Sequence, residues 1–214
     1  MIAWLYILGA LLITVFFHEL AHMIAALLCG VKVEVFSIGF GKPLFHKKLW
    51  GIDFRFTPLL LGGYCRLQGE KSKVKEGWLI QPYSKKVIIV LAGVITNLLI
   101  AFLCYWINFK SISFGLKLDF LLLKYIIAKD QYSIWRTVTM LAPNIFILQL
   151  GILNLVCTLN IIPFPALDGS YIWLFLLEPI FKEKFPIILE KIVKIGFVIL
   201  LILQFVLLYW LWFV

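Results

Sequence analysis

The sequence predicts an α-helical integral membrane protein of about four transmembrane helices, with a small membrane-associated β-sheet between helices one and two. Three observations predict it. The 214 residues are 63% hydrophobic and 14% charged, with mean hydropathy +1.03, the composition of a membrane protein rather than of a soluble domain. Four apolar stretches, Ile2–Cys29, Val87–Ile107, Leu141–Ile162 and Ile195–Val214, each reach about the 20 residues that a ~30 Å hydrocarbon core requires. Between the first two, short segments alternate apolar and polar residues, as strands do.

Taken in order, Ile2–Cys29 has no basic flank before it and no small-residue cleavage site, so a retained span is expected rather than a removable signal peptide. Gly30 suits its C-terminus. Val31–Phe36 and Ile52–Phe56 read as strands, and the apolar, glycine-rich Thr57–Tyr64 as a loop dipping back toward the membrane, giving a re-entrant β region over about 31–66. Val87–Ile107 carries no charge. Leu116–Trp135 mixes Lys117, Lys124 and Lys129 with leucines and isoleucines, the pattern of an interfacial amphipathic helix. Leu141–Ile162 is interrupted only by Asn, Gln and Thr, and closes at Pro163 and Pro165, which cannot continue a regular helix. Ile195–Val214 is again uncharged. A single membrane-embedded core over 1–214 is expected.

The formal net charge of +9 raises nucleic acid as a partner, but its distribution argues against one. Residues 30–86 hold 11 of the 20 Lys and Arg, residues 108–140 hold five, and residues 163–194 hold four. By the positive-inside rule the 30–86 segment is cytoplasmic and both termini lie outside. Cys29, Cys65, Cys104 and Cys157 show no CxxC spacing, and no disulfide framework is expected.

The first span carries His18-Glu19-Leu20-Ala21-His22. On a helix, HExxH sets two imidazoles one turn apart on one face with a carboxylate beside them, the zinc-hydrolase arrangement. His18 lies about 24 Å along the helix from Ile2 and His22 about 12 Å before Gly30, so the pair falls within the hydrocarbon, in its cytoplasmic half. Ionisable groups there are costly and point to function; the alternative is that they are polar packing residues between helices. A third protein ligand is required. His46 sits beside Lys47 and Lys48 and reads as a solvated surface residue. Asp168 is the better candidate, because an inward-running third span brings it to the side of His22. Its alternative role is to cap a helix starting near Ser170.

Four motifs in order, HELAH at 18–22, FSIGFG at 36–41, LGGY at 61–64 and Asn160-Ile161-Ile162-Pro163-Phe164-Pro165-Ala166-Leu167-Asp168-Gly169, together resemble the site-2 protease family of intramembrane zinc metalloproteases. The resemblance covers most of the chain. It implies that His18, His22 and Asp168 bind Zn2+, that Glu19 is the catalytic carboxylate, and that Asn97 and Asn160 lie near the substrate path or serve as packing polar residues. Ala92-Gly93-Val94 departs from the family's AGP, with Val94 in place of the proline. Residues 108–140 are too few for the PDZ domains of many relatives, and the C-terminal sensor domain of others is not expected, so a near-bare catalytic core is anticipated.

The activity so implied is cleavage of transmembrane segments of other membrane proteins, in regulated intramembrane proteolysis or clearance of signal-peptide remnants, within the lipid bilayer. A helical substrate must unwind before cleavage, and a strand edge can hold it by β-augmentation. Residues 52–66, with Phe54, Phe56, Gly62 and Gly63 foremost, are therefore expected to contact substrate; the alternative is a hairpin lying on the membrane surface. Two rival functions are a divalent-metal transporter and an inactive escort of membrane proteins. Inverted repeats would mark the first and loss of Glu19 the second.

Overall fold

A computed structural model of the chain describes residues 2–70, 77–128, 130, 132–134, 136–137 and 144–213. The order of elements is α1 (Ile2–Leu28), β1 (Val33–Phe40), β2 (Phe45–Leu49), β3 (Ile52–Phe56), β4 (Leu59–Leu67), α2 (Tyr83–Phe109), α3 (Ile112–Ile127), α4 (Ile145–Cys157), α5 (Asp168–Leu174), α6 (Glu178–Phe181) and α7 (Phe185–Phe213). Two helices among the described residues are long and apolar enough to cross a membrane, over Leu5–Leu28 and Tyr83–Phe109. They match the first two expected spans. The third is apolar but shorter, Ile145–Ile161, its last turn tightened to a 3-10 helix; residues 141–143 of that expected span lie outside the described residues, as do Lys129 and Trp135. The helix over the fourth span begins earlier than its apolar run, at Phe185, and has 29 residues.

The chain forms two compact units, Met1–Thr14 with Asn97–Thr158, and Val15–Thr96 with Leu159–Val214. In the first, fully buried Tyr105 is the centre of a cluster with Ala101, Leu118, Leu122 and Leu148. Glycines let neighbouring helices close on its ring: a Cβ at Gly151 would lie 2.8 Å from Tyr105 Cε1. The Tyr105 hydroxyl donates to Asp119, and Asn154 Nδ2 donates to Thr14 Oγ1 (2.9 Å) and to the Leu150 carbonyl (2.8 Å). Small residues and side-chain hydrogen bonds of this kind hold helices together where lipid removes the hydrophobic drive. The expected amphipathic helix exists as α3, but Leu118 and Leu122 turn one face of it into this core.

In the second unit α1 ends in a Schellman motif. Val31 N–H donates to the Ala26 carbonyl, Gly30 N–H to that of Leu27, and Gly30 takes φ +80°, the left-handed conformation glycine adopts without Cβ penalty. Lys85 Nζ, at the start of α2, donates to the Cys29 carbonyl at 2.8 Å, satisfying another group of that helix end. The sheet has the order β2-β3-β1-β4, with β1 parallel to β3 and antiparallel to β4, and β2 antiparallel to β3. Its inner side, with Val33, Phe36, Ile52 and Leu67, joins Met23 and Ala26 of α1, Ile89 and Val90 of α2, and Phe185 and Leu189 of α7 in one buried cluster.

Two expectations for the β region are corrected. Thr57–Tyr64 is not a loop, because only Thr57 and Pro58 connect β3 to β4; backbone pairing with β1 at Ile38–Gly63 and Ser37–Tyr64 extends the ladder through the glycines. Nor is β3 an edge. It is paired with β2 on one side and β1 on the other, which leaves β4 paired on one side only among the described residues. All four cysteines are free.

Candidate metal centre and active site

His18 and His22 project from the same face of α1 one turn apart, as their spacing requires. Across 150 residues of sequence, Asp168 meets them. His18 Nε2 lies 2.9 Å from Asp168 Oδ2, His22 Nε2 lies 3.5 Å from the same oxygen, and the two Nε2 atoms are 3.1 Å apart. Asp168 is the first residue of α5, set there by the turn through Pro163–Leu167, and Leu167 rather than Asp168 is the N-cap. Its carboxylate is therefore turned to the imidazoles instead of capping its own helix. Asn160 joins from the 3-10 turn that ends α4, with Nδ2 3.3 Å from Asp168 Oδ2 and 3.4 Å from His18 Nε2.

The tautomer of His22 follows from its other nitrogen. Nδ1 is 2.7 Å from the Ile89 carbonyl, which can only accept, so Nδ1 carries the proton and Nε2 presents a lone pair. Lone pairs of His22 and Asp168 thus converge on one point with the His18 ring, and a cation reconciles them. The geometry fits a tetrahedral ion. Bonds of about 2.0–2.1 Å imply ligand separations of about 3.3–3.4 Å, and the observed edges bracket that value. A third observation agrees: a Cβ added at Gly93 of α2 would fall 2.6 Å from His18 Cε1 and 2.8 Å from His18 Nδ1, and would also strike His22 Nε2. Gly93 lets α2 pass against the two rings.

Glu19 and His22 line a cavity of ≈ 440 Å³ together with Asp168, Gly63, Cys65 and Tyr171. Strand β4 passes Glu19 closely, since a Cβ at Gly63 would lie 2.8 Å from Glu19 Cγ. The rest of the wall is mixed: Trp78, Ile89, Val90, Leu189 and Val193 are apolar, while Arg66, Glu70, Glu190 and Lys194 supply charge. Burial pushes both the Cys65 thiol and the Tyr171 hydroxyl up, so both stay protonated and add no charge near the two acids.

Of the residues expected to meet substrate, Gly63 reaches the cavity wall and Asn160 the carboxylate. Three others, Gly62, Phe54 and Phe56, meet different neighbours in the sheet. Gly62 faces Phe40, on the opposite side of β4 from Gly63, as strand alternation dictates. Phe54 packs against Phe36 (centroids 5.6 Å apart), and Phe56 pairs with Phe45 in the β2–β3 ladder. Asn97 is fully buried within the first unit. His46 is exposed, and its Nδ1 lies 3.4 Å from Asp53 rather than at the cluster. Sequence reasoning overlooked Gly93, the Ile89 carbonyl, Cys65 and Tyr171; for Gly93 the signal present was a small residue within an apolar span, the usual mark of close helix approach.

Comparison with known proteins places the chain in a family. Proteins from Campylobacter jejuni, Neisseria meningitidis and Helicobacter pylori, all named "Putative zinc metalloprotease", are 44%, 43% and 42% identical over 98, 112 and 101 residues. These matches cover 42%, 50% and 43% of this chain and 27%, 24% and 29% of the relatives, so the chain spans roughly a quarter of their length. The description of Peptidase family M50 matches residues 6–203, nearly the whole chain. With HELAH, the Asn160–Gly169 segment and the converging ligands all inside that match, the chain belongs to peptidase family M50, the membrane-embedded site-2 protease family that its motifs resemble.

Proposed function

We propose that this chain is an intramembrane zinc endopeptidase that cuts transmembrane segments of other membrane proteins. The observation that carries the reading is the 2.9–3.5 Å triangle of His18, His22 and Asp168 on the wall of a cavity shared with Glu19. His18, His22 and Asp168 hold the ion; when bound, zinc supplies a Lewis acid that polarises the scissile carbonyl and acidifies water. Glu19 takes the proton of the attacking water and returns one to the leaving amine, which the zinc-peptidase spacing of HExxH allows. The Ile89 carbonyl keeps His22 in its ligating tautomer, and Asn160 donates to Asp168, limiting rotation of that carboxylate.

Substrate arrives along the open side of β4. That strand is the sheet edge next to Glu19, and an unwound segment can pair along its outer side. Cysteine cross-linking tests this: substrate bearing a cysteine near the cut should trap Tyr64→Cys or Arg66→Cys, and preferential trapping of Phe54→Cys would restore β3 as the docking strand. Four spans, a cytoplasmic 30–86 segment and external termini complete the reading, supported by the distribution of basic residues.

The deciding experiment co-expresses the chain with tagged single-span proteins and compares wild type with Glu19→Gln. Cleavage abolished by the variant while zinc is retained supports the peptidase. Divalent-metal flux that is indifferent to Glu19→Gln, or stable complexes without cleavage, would support the transporter or the escort instead.

A further inference from the structure

The cavity beside Glu19 is larger than the hydrolytic chemistry requires. Its volume, ≈ 440 Å³, falls among sites that enclose whole ligands, about 300–1,000 Å³. Protein interiors hold few voids larger than a water molecule, so room on this scale belongs to binding rather than to packing. Glu19, His22 and Asp168 take up only part of the wall.

Much of the remainder is apolar and comes from four elements: Leu67 of β4, Trp78 of the 3-10 turn before α2, Val90 of α2, and Leu189 and Val193 of α7. The first four of these side chains are no more than 6% exposed. Trp78 is held from two directions. Its backbone N–H donates to the Gln68 carbonyl at 2.7 Å, and its ring meets that of Phe175 edge-on, with centroids 5.3 Å apart. Leu189 and Val193 stand one turn apart on the same face of α7.

Strand β4 makes the room. Alternation sets Gly63, Cys65 and Leu67 on one face, so the side chain grows from none to a thiol to a buried leucine over about 13 Å. Bulk is missing beside Glu19 and returns at Leu67. Charge on the wall is matched locally: Lys194 lies 2.7 Å from Glu190, and Arg66 lies 3.1 Å from Glu34. Selection here therefore rests on shape and apolar area.

We propose that this cavity is a specificity pocket for one large apolar side chain of the substrate, of leucine or phenylalanine size, within about four residues of the bond that is cut. A segment paired along β4 points every second side chain toward the Gly63–Cys65–Leu67 face, and the one beside Cys65 enters the space bounded by Trp78, Val90 and Leu189. The inference rests on the peptidase reading and deepens it, by naming the substrates as segments with a bulky apolar residue at a fixed distance from the cut.

The test uses a single-span protein that the zinc-loaded full chain cleaves, with the cut mapped by mass spectrometry. Ala, Leu and Phe are placed in turn at each of the four positions on either side. Ala and Leu are close in helix propensity, so their ratio reads side-chain size rather than ease of unwinding. At one position Leu or Phe should exceed Ala by about tenfold or more in kcat/KM. Filling the pocket from two walls, by Cys65→Leu on β4 and by Val193→Phe on α7, should lower that ratio about tenfold or more at the same position. A ratio taken within one preparation does not depend on how much of the variant folds. In Glu19→Gln, benzoylphenylalanine at the responding substrate position should photocross-link to α7 or to Trp78. No preference at any position, a ratio that both variants leave unchanged, or adducts confined to other elements would overturn the pocket and leave the peptidase standing. A zinc-loaded wild type that cuts no single-span protein would overturn the peptidase reading and the pocket with it.

Discussion

Substituting Gly93 by alanine adds one methyl group at the point where α2 passes the two imidazoles. The new Cβ would stand 2.6 Å from His18 Cε1 and 2.8 Å from His18 Nδ1, and would also meet His22 Nε2. Ordinary contact begins at 3.4 Å, so rings or helix must yield by at least about 0.8 Å. Coordination distances tolerate only about 0.2 Å. The displacement is thus roughly four times what the ligand set can absorb. Even loss of a group that merely orients a ligand costs about 10–100-fold in metal affinity, and displacing ligands should cost at least the upper end of that range. Helix propensity works the other way, favouring alanine by about 1 kcal/mol, so α2 should remain intact. Zinc affinity measured by competition with a chelator should fall about 100-fold or more, with cleavage falling alongside while circular dichroism is unchanged. Gly9→Ala, whose Cβ would meet Phe146 at an ordinary 3.7 Å, is the neutral control. A Gly93→Ala protein that keeps wild-type zinc affinity would refute the argument that these rings are clamped by α2.

Other outcomes follow from the same contacts. Lys86 is 3% exposed, with Nζ 2.5 Å from Glu178 Oε2. Lys86→Met breaks this buried pair and should destabilise the protein by about 3–5 kcal/mol, whereas Lys86→Met/Glu178→Leu should recover most of the loss in thermal unfolding. Asn154→Leu removes the bonds to Thr14 and Leu150 and should cost about 0.6–1.7 kcal/mol by the same assay, an effect absent if those bonds add nothing in lipid. At the sheet surface, the Arg55 guanidinium holds the Asp53 carboxyl below the usual range. A lowered carboxyl stabilises the fold above its ordinary pKa and loses that contribution as pH falls through the lowered value. Wild type and Asp53→Asn should therefore differ in stability near neutrality and converge only in acid; a difference that grew on acidification would reverse the assigned sign.

Much of the site was legible in the sequence because its signals are local. An unbroken apolar run fixes α1 as a helix, and the i, i+4 spacing then sets His18 beside His22 with no tertiary information. Asp168 needed more, since its partners lie 150 residues away. Two prolines that end the preceding helix, and a chain direction inferred from lysine distribution, were enough to bring it to the right side. The β region was read less well for a physical reason. Leu59-Leu60-Leu61-Gly62-Gly63 lacks alternation, and glycine is depleted in strands, yet backbone pairing with β1 extends β4 through both glycines. β2 escaped notice because Phe45-His46-Lys47-Lys48-Leu49 looks merely solvated and Trp50-Gly51 is an unfavoured turn pair. With β2 unseen, β3 looked like an edge. Gly93 could not be assigned a role from its own helix, because the constraint belongs to the rings that pack against it.

Zinc stoichiometry and X-ray absorption at the zinc edge, on protein purified without chelator, test the central assignment most directly. One zinc per chain is expected, with two imidazole nitrogens and a carboxylate oxygen at about 2.0–2.2 Å, lost in both His22→Ala and Asp168→Ala. A spectrum dominated by sulfur, or full occupancy retained in Asp168→Ala, would contradict it.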